Sequence, residues 1–186
     1  MTGDPKHEVL IGGIETRAIE IVDYDPRWQN TFQTHANNIS KALGDVALRI
    51  EHTGSTSVAD LAAKPIIDIL LVVRDSADED SYLSRLVAAG YELRVREPDW
   101  HEHRMFRTPE RDAHIHVLSF GSSEIDRMLT FRDRLRKNVL DRQRYEETKR
   151  KLAAQTWRSM NDYAKAKTQM IEEIIAATHS ADEVSQ

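Results

Sequence analysis

Asp68 interrupts the run P-I-I-D-I-L-L-V-V at residues 65–73, which is otherwise apolar and rich in β-branched side chains. A carboxylate on a buried strand is costly unless it is paired, hydrogen-bonded or bound to a cation. Two readings of it stand side by side. One is an internal ion pair with Lys64 or a nearby arginine. The other is a cation or substrate site in a cleft beside the sheet. Upstream, H-T-G-S-T at residues 52–56 follows a strand-like run. A glycine-serine turn in that position offers backbone N–H groups and a hydroxyl to phosphate oxygens, and a helical turn expected over 57–62 would add a favourable dipole. Downstream, H-I-H-V at 114–117 puts two imidazoles on one face of a strand, where they can share an ion. With Asp68 they form a two-histidine, one-carboxylate set that suits Zn, Fe(II) or Mn better than Mg. The same groups can equally hydrogen-bond a ligand, or one another, without metal. His101 and His103 in P-D-W-H-E-H-R are a second candidate pair, able to approach the same cleft if that segment is a loop or strand end; ordinary surface histidines at a hairpin edge explain them as well, and that reading is preferred.

The elements that must position these residues are readable from periodicity. Residues 18–22 alternate weakly, as a short edge strand would. Asp25 and Pro26 open a helix carrying Trp28, Phe32, His35, Ile39 and Leu43 on one side and ending at Gly44. Strands are expected over 46–51, 65–73 and 91–96, with a hairpin of 104–107 and 114–119. A second helix is expected over 78–89. From Ser122 onward the pattern is helical, with Ser123 and Asp126 resembling a capping pair. Alternation places Asp68 on the face of Ile66 and Leu70, opposite Ile67 and Ile69. The reading is one α+β domain over 17–178, with a flexible segment at 1–16 and a frayed tail at 179–186.

Bulk composition narrows the function. The 186 residues suffice for one good core, and a net charge of −5 argues against nucleic acid as a general partner. No apolar run reaches the roughly 18 residues of a membrane span, and the start lacks the pattern of a secretory signal. The absence of cysteine excludes disulfides and thiolate metal sites. A cytoplasmic protein is expected. Basic residues crowd 127–151 among acidic ones, either as a solvated face with pairs such as Glu146 with Arg150, or as a cationic wall for a phosphorylated ligand. Arg132 is the strongest candidate contact from that segment; the alternative is that Asp133 anchors it internally.

The order strand, Gly-Ser, short helical segment, strand with Asp resembles the core signature of the nucleotidyltransferase superfamily. The likeness is closer still to the GrpB family. It is carried by Y-D-P-R-W at 24–28, E-H-T-G-S-T-S-V at 51–58, A-K-P-I-I-D-I at 63–69, H-I-H-V at 114–117 and F-R-D-R-L-R at 131–136. The spaced Tyr145, Lys149, Tyr163 and Lys167 complete it. The resemblance implies a nucleotidyltransferase-like fold, a small mixed β-sheet packed by helices with a helical C-terminal part. On the transferase reading, catalytic roles fall to Asp68 and His116, with ligand contacts from His52, Gly54, Ser55, Thr56, Lys64 and Arg132. A divalent metal, Mg, Mn or Zn, on Asp68, His114 and His116 is a reading of the residues themselves, since the resemblance gives the positions and not the ion. The expected partner is an anionic small molecule such as a nucleotide. A working nucleotidyltransferase needs a second carboxylate two residues further along the strand, on the same face, and here that position is Leu70. Three functions therefore stay open: a transferase, a non-catalytic accessory module of the same fold, or a mononuclear His/His/Asp metalloenzyme. The family resemblance includes domains fused to a coenzyme A biosynthesis kinase, which keeps the second open as an alternative.

Overall fold

The computed structural model describes residues 9–14 and 18–183. In chain order the elements are β1 (Val9–Leu10), α1 (Arg27–Leu43), β2 (Arg49–Thr53), β3 (Ile67–Val73), α2 (Leu83–Ala88), β4 (Glu92–Glu97), β5 (His103–Arg107) and β6 (Ala113–Ser119). Four helices follow: α3 (Ser123–Lys137), α4 (Val139–Ala153), α5 (Met160–Ala166) and α6 (Thr168–Glu183). The strands form one mixed sheet in the order β1-β4-β5-β6-β3-β2. Only β3 and β6 run parallel; the other pairings are antiparallel. The architecture is α+β, with a helical C-terminal part.

The continuous apolar character of β3 is explained by cover on both faces. Ile67, Ile69, Leu71 and Val73 join Phe106, Ile115 and Val117 in a core closed by Trp28, Ile39 and Leu43 of α1 and by Tyr82, Leu86 and Tyr91. On the opposite face Leu70, Val72 and Leu118 pack under Ile125 and Leu129 of α3. The helical part has a smaller core of its own, in which Leu135, Tyr145 and Ile174 enclose Val58 and Leu61.

Local departures from the expected elements have visible causes. Asp25 does accept the Arg27 N–H at 2.9 Å, while helical geometry begins at Arg27. Tyr82 turns fully inward against Phe106, and its φ of −139° divides the expected 78–89 helix into a 3-10 turn, Glu79–Ser81, and α2. The 18–22 segment is reduced to a single bridge, Val22 with Ala63. The first expected strand is displaced toward Thr53, because residues Gly44–Val46 form a 3-10 turn. Val9–Leu10, in the segment expected to be loose, pairs with β4. Most of that segment, 1–8 and 15–16, lies outside the described residues, as do 184–186 of the tail, although α6 extends through Glu183. Among the described residues no helix is long and apolar enough to cross a membrane.

Two polar residues clasp this framework internally. Arg132 is 8% exposed; its Nη1 donates to Glu51 Oε2 at 2.8 Å and to the His52 carbonyl at 3.1 Å, and its Nε donates to Asp133 at 2.7 Å. It ties α3 to β2. His52 is 5% exposed, stacks on Phe32 with ring centroids 4.6 Å apart, and lies 3.1 Å from Thr56 Oγ1. Burial brings its imidazole down to about 4 from 6.5, despite the opposing pull of Asp68. Between those values the unfolded chain binds a proton that the folded chain refuses, so stability falls as pH drops from 6.5 toward 4. The loss should approach about 3 kcal/mol, at roughly 1.4 kcal/mol per unit. Urea unfolding of wild type and His52→Gln across that range should show the steeper pH slope in wild type; equal slopes would remove His52 as the cause.

Candidate functional site

The pairing of β3 with β6 assembles the site. Asp68 is opposite His114 in that parallel register, and Leu70 is opposite His116. Alternation therefore sends Asp68, His114 and His116 to the same face as Leu70 and Leu118. Toward one end of the strands that face is sealed by α3; toward the other it opens into a cavity of about 590 Å³. Asp68 Oδ1 lies 3.6 Å from His114 Nδ1 and 3.5 Å from His116 Nε2, with all three side chains between a quarter and a third exposed. Burial alone would raise the Asp68 carboxyl, but the facing imidazoles of His114 and His116 hold it well below the ordinary carboxylate range.

The three side chains form a group able to hold a metal ion, with one ligand atom from each and all three atoms within 4.8 Å of one another. Adjacent ligands of a tetrahedral ion with bonds of about 2.1 Å are separated by about 3.4 Å. The two contacts to Asp68 are close to that length and long for direct hydrogen bonds. One carboxylate and two imidazoles suit Zn, Mn or Fe(II). Leu70, at the position of a second carboxylate, is fully buried beneath α3, so the pair of ions used in ordinary nucleotidyl transfer is not supported by this strand.

The Gly-Ser turn sits directly against this group. Gly54 has φ +65°, and a β-carbon there would overlap Asp68 Oδ2 and come within 2.9 Å of its Cβ and Cγ. Only glycine lets the turn lie on the carboxylate. The helical turn is Ser55–Ser57, earlier and shorter than the 57–62 turn expected, so no helix dipole is directed at the site. Thr53 Oγ1 donates to the Asp68 carbonyl, Thr56 Oγ1 to the Ile66 carbonyl and Ser57 Oγ to the Gly54 carbonyl, which pins the turn to β3.

Gly54, Ser55, Thr56 and Lys64 line the cavity together with the Asp68 group. His52 and Arg132 do not; their internal partners, described above, explain both burials. The other lining residues of consequence come from the helical part. Lys149 is 2% exposed, donates to the Ala62 carbonyl and lies 4.9 Å from the Tyr145 ring centroid. Burial, followed by the neighbouring Lys167, brings its ammonium down to about 7. Lys64 and Lys167 approach the Tyr163 ring at 5.1 and 4.8 Å. Tyr145 hydrogen-bonds Ser55 while burial raises its phenol. Tyr163 is buried with its hydroxyl lacking a hydrogen-bond partner among the described residues.

Sequence reasoning did not place two parts of this site. Lys149, Tyr145, Tyr163 and Lys167 mark the family resemblance, but helical spacing does not show which face meets the sheet. His103, read as a surface histidine, is 6% exposed and lies 3.1 Å from His116. Burial lowers its imidazole against the raising pull of Glu97. The H-x-M-x-R alternation of 103–107 carried a signal, because β5 pairs Met105 with His116 and so puts His103 on the same face.

The GrpB protein family matches residues 18–177. A UPF0157 protein of Halalkalibacterium halodurans is 52% identical over 176 residues, covering 94% of this chain and 90% of that protein. The crystal structure of the conserved protein GrpB from Enterococcus faecalis superposes with a TM-score of 0.71 at 32% identity, over 86% of this chain and 99% of the other. A dephospho-CoA kinase of Mycolicibacterium paratuberculosis is 36% identical over 88 residues, 46% of this chain and 22% of the kinase. With its family motifs in order and its sheet closing around them, the chain belongs to the GrpB family.

Proposed function

We propose that this GrpB-family protein binds a nucleotide or another phosphorylated small molecule in the cavity beside β3, with one divalent ion held by Asp68, His114 and His116. The observation that carries the reading is the joint lining of one cavity by that cation-receptive group and by Lys64, Lys149 and Lys167. Burial first, and then the neighbouring Lys167, disfavour the charge on Lys149; lysines gathered in a half-buried space repel one another. A phosphate relieves that repulsion, and a metal ion bridging it to Asp68 satisfies both sides. Ser55 and the backbone of the Gly-Ser turn supply the neutral contacts. Asp68 and His116 are the residues placed to act on a bound molecule. With one ion rather than two, transfer chemistry would rely on a lysine for the charge that a second ion would otherwise neutralise. A cytoplasmic setting, rich in phosphorylated metabolites, fits this reading.

A second reading is an accessory binding module without turnover. The specific observation behind it is the match of 88 residues to a dephospho-CoA kinase, of which they form only 22%. The two readings share the pocket and differ in whether the bound ligand is altered.

Calorimetric titration with Zn or Mn, followed by thermal-shift measurements with ATP and with inorganic phosphate, tests the shared part. One ion per chain is expected, with phosphate-bearing ligands stabilising the loaded protein. Asp68→Asn removes a direct ligand and should lower ion affinity by more than about 100-fold, since losing even an outer partner costs about 10–100-fold. Undiminished binding in Asp68→Asn would move the site elsewhere. Gly54→Ala provides a separate check, because its β-carbon must displace the Asp68 carboxylate. Backbone strain of about 1 kcal/mol or more is expected, together with a marked loss of ion binding. Gly44→Ala is the control for strain alone: Gly44 has φ +55° and nothing within 4 Å of its would-be β-carbon. Equal ion affinity in the two variants would break the link between the turn and the site.

A further inference from the structure

His116 has a second set of neighbours, leading away from Asp68. Its Nδ1 lies 3.1 Å from His103 Nε2, and His103 Nδ1 lies 2.6 Å from Glu97 Oε2. The two imidazoles are stacked, with centroids 5.3 Å apart and planes inclined by 19°. Trp100 packs edge-on against His103 at 5.3 Å. Glu97 and His103 are register partners in β4 and β5, so the backbone ladder itself sets their spacing.

Chemistry fixes the direction of the hydrogen bonds in this row. The Glu97 carboxylate is an acceptor only, so His103 Nδ1 carries the hydrogen between them. A buried neutral imidazole has one N–H, which leaves His103 Nε2 as an acceptor. His116 Nδ1 must then donate to it. The remaining lone pair of His116 is on Nε2, the atom 3.5 Å from Asp68 Oδ1. Two acceptors thus face each other across a gap that calls for something positive between them.

We infer that Glu97 and His103 are positioning residues for the cation site: through hydrogen bonds they hold His116 in the tautomer that presents Nε2 to an ion of the Zn or Mn class. The inference rests on the cation reading of Asp68, His114 and His116. A partner on the far nitrogen of a ligating histidine fixes its tautomer and orientation and makes it a better donor. Here that partner is a second imidazole, itself backed by a carboxylate. This arrangement favours borderline ions that prefer nitrogen, at the expense of Mg.

The test is calorimetry with Zn alone on wild type, His103→Phe, His103→Gln and Glu97→Gln, together with imidazole nitrogen NMR of the Zn-loaded wild type. Phenylalanine keeps the stacking on His116 and the packing on Trp100 but accepts no hydrogen bond. Glutamine can place a carbonyl oxygen where Nε2 stood. His103→Phe should weaken Zn binding by about 10–100-fold, His103→Gln should recover most of that loss, and Glu97→Gln should fall between wild type and His103→Phe. The NMR spectra should show His116 protonated at Nδ1 and metal-bound at Nε2, a readout that depends on no variant folding. Full Zn affinity in His103→Phe, or metal on His116 Nδ1, overturns the inference and leaves the cation reading standing. Wild type that takes up no Zn overturns that reading and the inference with it.

Discussion

A charge on an inner strand has to be met from within the sheet, since water reaches it only from one side. In this protein the parallel pairing of β3 with β6 meets that need. It puts His114 beside Asp68 and His116 one pleat further along, at separations set by backbone hydrogen bonds rather than by flexible side chains. Everything else about the site follows from this pairing. Because Leu70, Val72 and Leu118 continue the same face, α3 can close it at one end only, and the cavity is what remains at the other. Gly54 is required because the turn after β2 must pass directly over the carboxylate.

The helical part completes the site by contributing the opposite charge. Lys149 and Lys167 line the cavity across aromatic rings, with Tyr145 and Tyr163 as the platforms. Aromatic faces give partial compensation to an ammonium withdrawn from water. That compensation is incomplete for Lys149, whose lowered proton affinity records both its burial and its neighbours. The cavity thus joins a group able to hold a metal ion to a set of lysines.

Much of the fold was legible in the sequence, and for clear reasons. The β-branched run of β3, the alternation of His114 and His116, and the helix beginning near Asp25 each carry a strong local period. What periodicity could not convey was which faces would meet. Tyr82 falls within a helical pattern, yet its burial against Phe106 divides the helix. His52 and Arg132 have the chemistry of ligand contacts, and tertiary packing consumes both internally, one against Phe32 and the other between Glu51 and Asp133. His103 went the other way: its neighbours in sequence are charged and polar, but the hairpin register carries it beneath the surface and against His116.

The link between the Gly-Ser turn and β3 is held in an unusual way. At Ala62, Glu146 accepts the backbone N–H at 3.1 Å and Lys149 donates to the backbone carbonyl, so two side chains of α4 grip one peptide position from both sides. Val58 and Leu61 are buried in the helical core immediately before it. The segment therefore has no hinge of its own. Lifting this segment would break both hydrogen bonds and draw two apolar side chains into water. The segment is thereby fastened to α4, so its position follows from where that helix packs and not from the conformation of its own loop.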